Sequence, residues 1–88
     1  IHQDSGLVTL LARATAPGLE VLLPDRSAFV NVETLLEPCD VVVYFGKAMK
    51  RVTRGVVPAA FHRVVRLPAA ERLSMPFELK PNNAALLD

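Results

Sequence analysis

Short apolar runs, separated about every ten residues by turn-forming Pro, Gly, Asp or Asn, dominate this chain. The runs are shorter than an ordinary helix, and several are rich in β-branched residues, so the pattern favours strands. The segment Val-Val-Val-Tyr-Phe at 41–45, ended by Gly46, carries the strongest strand signal. The predicted strands span residues 7–12, 19–23, 28–32, 41–45, 61–67 and 72–79.

The connections between these strands predict little helix. Residues 33–40 and 47–51 each offer room for about one helical turn, and residues 84–88 predict a helical stub. None is long enough to cross over between two parallel strands, which argues against a βαβ arrangement. Six or seven short strands with regularly spaced turns therefore predict an all-β sandwich or jelly roll.

Alternation along the strand 72–79 assigns its two faces, and Arg72 and Ser74 share one of them. The other face is apolar and is expected to lie in the core. Pro76 has no backbone N–H, so this strand should lie at a sheet edge or contain a bulge. The side chains expected in the core are those of Leu73, Met75, Phe77, Leu79, Phe45 and Phe61.

The composition fits one small folded domain. With 88 residues, 51% of them hydrophobic, and a mean hydropathy of +0.31, the chain is too apolar for a disordered segment. It contains no apolar run of about 18 residues or more, so no membrane span is predicted. A net charge of +1 gives no general attraction to polyanions, and nucleic acid is not a predicted partner.

The single cysteine, Cys39, excludes an internal disulfide and a cysteine-based zinc site. It follows Pro38 directly before an apolar run, where a small buried thiol is the expected state. One unpaired cysteine is consistent with a reducing compartment, so the expected location is the cytoplasm.

A histidine and a carboxylate stand one residue apart near the first residue, in His2-Gln3-Asp4. In an extended strand, side chains at i and i+2 leave the same face, so His2 and Asp4 can present an imidazole nitrogen and a carboxylate oxygen to one point. Such a pair suits a divalent metal, but a solvated chain end has the same short motif. A third ligand would come from elsewhere in the fold, and His62 is the only other histidine.

Two histidines and one carboxylate on one side of a metal form the facial triad of non-haem Fe(II) oxygenases. Ten residues after His62, Arg72 and Ser74 offer a planar fork of donors and a hydroxyl to a carboxylate. If His62 and Arg72 lie on adjacent antiparallel strands, both ends of a dicarboxylate can bind in one cavity. By itself, Arg72 would be a surface cation paired with Glu71 or Glu78.

Six separated pieces of sequence occur in order and together resemble a known family. They are His-x-Asp-x-Gly-Leu-x-Thr-Leu-Leu, Gly-Leu-Glu-Val, Val-Val-Val-Tyr-Phe-Gly, Thr-x-Gly, His-Arg-Val-Val and Arg-x-Ser-x-Pro-Phe-x-x-x-Pro. The set resembles the C-terminal part of the iron- and 2-oxoglutarate-dependent dioxygenases of the isopenicillin N synthase-like type, a group that includes gibberellin oxidases and flavonoid dioxygenases. The resemblance extends from Ile1 to about Pro81.

The resemblance implies a double-stranded β-helix, or jelly roll, in which His2, Asp4 and His62 bind Fe(II). It also implies that Arg72 and Ser74 bind the distal carboxylate of 2-oxoglutarate. Such enzymes use O₂ to decarboxylate 2-oxoglutarate to succinate and CO₂ while they hydroxylate or desaturate a small organic substrate. The metal supplies the difficult chemistry, and the protein positions and shields the reactants.

Three positions depart from the family's usual pattern. Tyr44 stands where the family commonly has Asn, Lys47 where it has Asp after the Gly, and Arg54 where it has Asn in Thr-Asn-Gly. None of the three is an implied metal ligand or carboxylate anchor. The departures therefore bear on the rim of the pocket and on any close match to a plant enzyme.

Residues 1–88 are expected to form the C-terminal part of a single dioxygenase domain in a longer protein. The strand that precedes His2 in the family is missing, so the barrel is expected to be incomplete and to self-associate through an exposed sheet edge. Alternatives to a 2-oxoglutarate-dependent oxygenase are a catalytically silent jelly-roll segment with a structural or partner-binding role, and an enzyme that uses a different carboxylate, as isopenicillin N synthase does.

Overall fold

A computed structural model describes residues 1–66 and 71–82, and this part of the chain contains six strands in two antiparallel sheets. The first sheet has β1 in its centre, flanked by β4 and β6, and the second has β2 in its centre, flanked by β3 and β5. The elements are β1 (Val8–Ala12), β2 (Leu19–Leu22), β3 (Phe29–Asn31), a 3-10 turn (Val32–Leu35), β4 (Val41–Phe45), α1 (Lys47–Val52), β5 (His62–Val64) and β6 (Pro76–Leu79). The predicted all-β class with antiparallel sheets is confirmed.

One face of each sheet points toward a shared interior, and the strand register shows which residues lie on that face. In the first sheet, Thr9 lies opposite Tyr44 of β4 and Glu78 of β6. In the second sheet, Val21 lies opposite Val30 of β3 and His62 of β5. Because side chains alternate along a strand, these residues share a face with the buried side chains of Leu11 and Leu19.

The boundaries of three predicted elements are nearly as expected, and two strands are shorter. Strand β4 and helix α1 occur where they were predicted, and the turn at 32–35 is the single helical turn expected after β3. The strand predicted for 61–67 extends only from His62 to Val64. Residues 67–70 lie outside the described residues. The stub predicted for 84–88 also lies outside them.

The strand predicted for 72–79 begins only at Pro76. Pro76 lies opposite Leu11, one residue before β1 ends at Ala12, so the ladder has almost no partner strand left at that point. The preceding residues bond instead to the loop after β1: Thr15 N–H donates to Leu73 O (3.1 Å), and Leu73 N–H donates to Thr15 Oγ1 (2.8 Å). Strand β6 lies at the edge of its sheet, as the proline predicted.

The predicted apolar core face of this segment is wrong, because it points away from the interior. Leu73, Met75 and Phe77 are 69%, 83% and 65% exposed. Phe77 lies opposite Leu10, which in turn lies opposite Val43, so the outward face of the first sheet is a continuous apolar surface. The exposed large apolar residues of this surface are Leu10, Val41, Val43, Phe45, Phe77 and Leu79.

Two further expectations about burial are corrected. Cys39 is a free, exposed cysteine and not a buried thiol, because it lies in the loop before β4, whose first residue, Val41, is itself half exposed. Of the three phenylalanines expected in the core, Phe61 is partly buried and the other two are exposed.

Within the described residues, no helix has the length and the hydropathy needed to cross a bilayer.

Candidate functional site

The three predicted metal ligands meet at one point. Asp4 Oδ1 lies 3.3 Å from His2 Nε2 and 3.2 Å from His62 Nε2, and one ligand atom from each residue lies within 4.8 Å of the others. Ligands at ordinary metal–ligand distances on one face of an ion are about 3 Å apart, and Asp4 has this spacing to each histidine, so the cluster is of a size that could hold one divalent ion.

Backbone pairing brings the distant histidine to the His-x-Asp motif. His2 N–H donates to His62 O (3.0 Å), and His62 N–H donates to His2 O (2.9 Å), which forms an antiparallel bridge on the edge of β5 opposite to β2. The two imidazole rings have centroids 4.3 Å apart. The close pairing of residues 2 and 62 thus depends on two main-chain hydrogen bonds and not on the side chains alone.

A second layer of contacts orients the ligands. Thr9 Oγ1 donates to Asp4 Oδ2 (2.6 Å), which leaves Oδ1 directed at the two imidazoles. His62 Nδ1 lies 3.1 Å from Ala60 O, so a proton on Nδ1 satisfies that carbonyl and leaves the Nε2 lone pair facing Asp4. Burial raises the pKa of Asp4, but the Thr9 hydrogen bond and the two imidazoles outweigh it and hold that pKa below its ordinary value.

The segment that carries Asp4 is fixed by the start of α1. Lys47 N–H donates to Asp4 O (2.8 Å), and Ala48 N–H donates to Gly6 O (3.1 Å). Any side chain at Gly46 would collide with Gly6 O and would lie 2.7 Å from Asp4 O. Only glycine allows this close approach, which explains the Gly that ends β4.

Tyr44 stands beside the metal ligands, closer than the rim position expected for it. Its ring centroid lies 4.7 Å from that of His62, at an interplanar angle of 56°. Burial, together with the neighbouring Asp4 carboxylate, raises the pKa of Tyr44 to about 12. The phenol is therefore neutral at physiological pH and packs as an aromatic wall against the histidine.

Arg72 and Ser74 face the same cavity as the metal ligands. This cavity of about 320 Å³ lies between the inner faces of the two sheets. The premise that His62 and Arg72 lie on adjacent strands is wrong, because β5 belongs to the second sheet and Arg72 precedes β6 of the first. The lining residues are His2, Asp4, Thr9, Leu11, Leu19, Tyr44, His62, Val64, Arg72, Ser74, Pro76 and Glu78.

The partner of Arg72 is Glu33, and not Glu71 or Glu78. Arg72 Nη2 and Nε donate to Glu33 Oε1 at 2.8 and 3.2 Å, and Nη1 donates to Ser74 Oγ at 3.2 Å. The Glu33 side chain is 2% exposed and that of Arg72 is 16% exposed, so this pair is shielded from water. Glu78 instead accepts a hydrogen bond from Gly6 N–H (2.8 Å).

Sequence reasoning missed Glu33 because nothing local distinguishes it. It lies 39 residues before Arg72, in the turn Val32–Leu35. The one available signal was an acidic residue inside an apolar stretch, between Val32 and Leu35. Burial raises the pKa of Glu33, but hydrogen bonds from Arg72 and from the main chain at Leu19 and Gly18 outweigh it, so the pKa lies below its ordinary value.

Comparison with known proteins gives consistent matches. A family model described as the 2OG-Fe(II) oxygenase superfamily matches residues 1–81. Isopenicillin N synthase from Flavobacterium sp. is 35% identical over 99% of this chain and 25% of its own length. Gibberellin 3-beta-dioxygenase 1 from Oryza sativa subsp. japonica is 32% identical over 91% of this chain and 20% of its own length.

Solved structures agree with the sequence matches. The crystal structure of a full-length Neurospora crassa protein in complex with alpha-KG is similar to this chain with a TM-score of 0.76 and 32% identity, over 92% of this chain and 27% of that one. The chain thus spans about a quarter of the length of the relatives and structures it matches.

Proposed function

Because this chain belongs to the 2OG-Fe(II) oxygenase superfamily, we propose that it carries the metal centre and the 2-oxoglutarate site of an oxygenase that acts on a small organic molecule. The family uses Fe(II) and 2-oxoglutarate. One observation carries the proposal: the His2, Asp4 and His62 cluster and the pair Arg72 and Ser74 line the same cavity of about 320 Å³. Residues 1–88 are proposed as the C-terminal part of the dioxygenase domain, whose jelly roll closes with the rest of the polypeptide.

The donor set fits Fe(II). One carboxylate and two imidazole nitrogens on one side of an ion are the ligands of the mononuclear oxygenases, and they leave the opposite positions for oxo acid and O₂. When bound, the metal supplies the O₂ chemistry that no side chain can perform. His2, Asp4 and His62 would hold it, and the Asp4 carboxylate, whose pKa lies below its ordinary value, is ionised at neutral pH.

The cavity fits a five-carbon dicarboxylate that binds at both ends. The 1-carboxylate and 2-oxo group would face the metal ligands, and the 5-carboxylate would accept hydrogen bonds from Arg72 and Ser74. Leu11, Leu19 and Val64 form apolar walls between these two ends. Of these, Leu11 and Leu19 are buried and would present a dry apolar surface to the ligand, which strengthens polar contacts beside it.

Turnover of 2-oxoglutarate tests this function. The intact protein that contains this chain is incubated with Fe(II), ascorbate and 2-oxoglutarate, and succinate release is measured beside O₂ consumption. We expect Fe(II)-dependent succinate release that Asp4→Ala abolishes and that Asp40→Ala, a substitution in the exposed loop before β4, leaves unchanged.

Two other results would each point elsewhere. Fe(II)-dependent O₂ consumption without any requirement for 2-oxoglutarate would assign the chain to the reaction type of its isopenicillin N synthase relative. Succinate release that survives Asp4→Ala would remove the proposed metal centre from the reaction.

A further inference from the structure

A buried carboxylate that takes no part in metal binding organises the far end of the cavity. Glu33 Oε1 accepts four hydrogen bonds: from Gly18 N–H (3.0 Å), from Leu19 N–H (2.7 Å), and from Nε and Nη2 of Arg72 (3.2 and 2.8 Å). Its other oxygen, Oε2, is 3.4 Å from Ala14 N. The carboxylate therefore ties the loop before β2 to the arginine.

The hydrogen bonds of Arg72 determine which part of it remains for a ligand. A guanidinium has five N–H groups: one on Nε and two on each Nη. Glu33 takes the side-on edge, formed by Nε and one N–H of Nη2, and Ser74 takes one N–H of Nη1. One N–H of each Nη is left without a partner among these contacts, and two such groups at the end of a guanidinium form a fork that matches the two oxygens of a carboxylate.

Gly18 allows this arrangement by having no side chain. A Cβ at Gly18 would lie 2.9 Å from Arg72 Cδ and 3.0 Å from Arg72 Nε. Gly18 is not among the residues with positive φ, so the turn does not need its conformational freedom. It is needed because the Arg72 side chain and the Val65 carbonyl, whose oxygen would lie 2.9 Å from a Cβ at Gly18, both lie directly against this main chain.

We propose that Glu33 is a positioning residue for the oxo acid. It accepts hydrogen bonds from the side-on edge of the Arg72 guanidinium, so that the end-on fork is the part that faces a dicarboxylate in the cavity. The inference rests on the proposed function, since it assumes that the ligand of Arg72 is the distal carboxylate of 2-oxoglutarate. Glu33 does not touch the ligand and acts only through Arg72 and the loop at Gly18.

Net charge and geometry make opposite predictions for loss of the Glu33 charge. If Arg72 attracted the oxo acid mainly as a cation, Glu33→Gln would leave it uncompensated, and binding would tighten. If Glu33 sets the direction of the fork, the same substitution weakens binding, because a neutral amide cannot hold four donors on one oxygen as firmly. The sign of the change therefore separates the two roles.

The test measures two five-carbon 2-oxo acids by calorimetric titration into the intact protein loaded with Ni(II). 2-Oxoglutarate carries the distal carboxylate and 2-oxopentanoate lacks it. We expect Glu33→Gln to weaken 2-oxoglutarate binding about tenfold or more, as for a lost charge-assisted pair, and to change 2-oxopentanoate binding by less than about twofold. In an Arg72→Ala background, Glu33→Gln should have no further effect on either acid.

Glu20→Gln is the matched control, because Glu20 Oε1 accepts from Arg63 Nε at 2.7 Å on the outward face of the second sheet. It should change neither affinity. Gly18→Ala provides a second variant that keeps the Glu33 charge but crowds both Arg72 and the Val65 carbonyl, and it should cause the same selective loss. If Glu33→Gln does not fold, the Gly18→Ala titrations test whether the position of Arg72 determines 2-oxoglutarate binding.

Each other outcome overturns a distinct claim. Unchanged or tighter 2-oxoglutarate binding in Glu33→Gln, or equal weakening of both acids, would show that Glu33 does not position Arg72. Equal binding of the two acids by the unsubstituted protein would instead refute the proposed function, because the distal carboxylate would then have no anchor.

Discussion

The two ends of the cavity are built differently. At the metal end, Asp4 faces two imidazoles within 3.3 Å and has its second oxygen bonded to Thr9, five residues away in the chain. At the anchor end, the charge of Arg72 is matched by a buried carboxylate 39 residues away in the chain. At the metal end, the Asp4 carboxylate has a hydroxyl and two imidazoles as neighbours. At the anchor end, the charge of Arg72 is already neutralised by the charge of Glu33.

This difference predicts how strongly substitutions at each end should affect ligand binding. The proposed metal centre depends on an ion that three residues would share, so loss of one ligand should be severe. The anchor end depends on direction, since its ion pair has little net charge to attract a ligand. Substitutions there should give graded effects on binding of the oxo acid and none on binding of the metal in the absence of oxo acid.

Removal of a metal ligand should have the largest effect. We expect Asp4→Ala or His62→Ala to weaken binding of Mn(II) or Co(II), used in place of Fe(II), by more than the 10- to 100-fold that loss of a ligand's supporting contact typically costs. Metal titrations of the intact protein measure this, with Asp40→Ala as the control. Equal affinities in all three variants and the unsubstituted protein would mean that the cluster is not a metal site.

At the anchor end, Arg72→Ala should raise the requirement for 2-oxoglutarate by roughly two to three orders of magnitude, as for the loss of about 3–4 kcal/mol from a shielded charge-assisted pair. Ser74→Ala removes one neutral hydroxyl contact and should cost only about 1 kcal/mol. Succinate release over a range of 2-oxoglutarate concentrations gives both values. An unchanged requirement in Arg72→Ala would place the anchor elsewhere.

Acid should destabilise the protein partly through the anchor end. The pKa of Glu33 is lower in the folded protein than its ordinary value of 4.5, so its contribution to stability is complete above that pH and is lost as pH falls through the folded pKa. The effect cannot exceed about 1.4 kcal/mol per pH unit for one group. Urea unfolding between neutral pH and pH 3 should show a shallower decline for Glu33→Gln, and identical slopes would contradict the lowered pKa.

The smallest effect is expected from a substitution in the turn that contains Arg54, which does not line the cavity. Arg54 adopts φ 53°, in the left-handed region that Asn tolerates better than Arg, and Asn is the residue commonly found there in the family that the sequence resembles. Arg54→Asn should raise the free energy of unfolding by a few tenths to about 1 kcal/mol and leave metal and oxo-acid binding unchanged. Thermal unfolding with both titrations checks this, and a loss of stability would show that Arg54 makes a contact worth more than the strain.

Local patterns predicted that His2, Asp4 and His62 lie close together, while their binding of a metal stays a prediction. The alternation that places His2 and Asp4 on one face depends only on two neighbouring positions, and His62 was the sole histidine left in the sequence. The Val-Val-Val-Tyr-Phe run gave strand β4 its bounds, because β-branched and aromatic residues with a following glycine leave few alternatives.

Long-range packing explains what the sequence did not predict. Alternation identified two faces for the segment that ends in Phe77 but could not say which would face inward, and the apolar face proved to be outward. Likewise, no local rule joins Glu33 to Arg72, since their contact depends on how the second sheet sits over the first. Self-association through an exposed sheet edge stays a prediction.

The central claim is that one ligand binds both ends of one cavity, and thermodynamic linkage tests it directly. The affinity of the intact protein for Co(II) is measured with and without saturating 2-oxoglutarate, in the unsubstituted protein and in Arg72→Ala. We predict that 2-oxoglutarate tightens metal binding at least about tenfold, and that Arg72→Ala greatly reduces this gain at the same 2-oxoglutarate concentration while the affinity without 2-oxoglutarate is unchanged. A metal affinity that does not respond to 2-oxoglutarate in the unsubstituted protein would contradict the account.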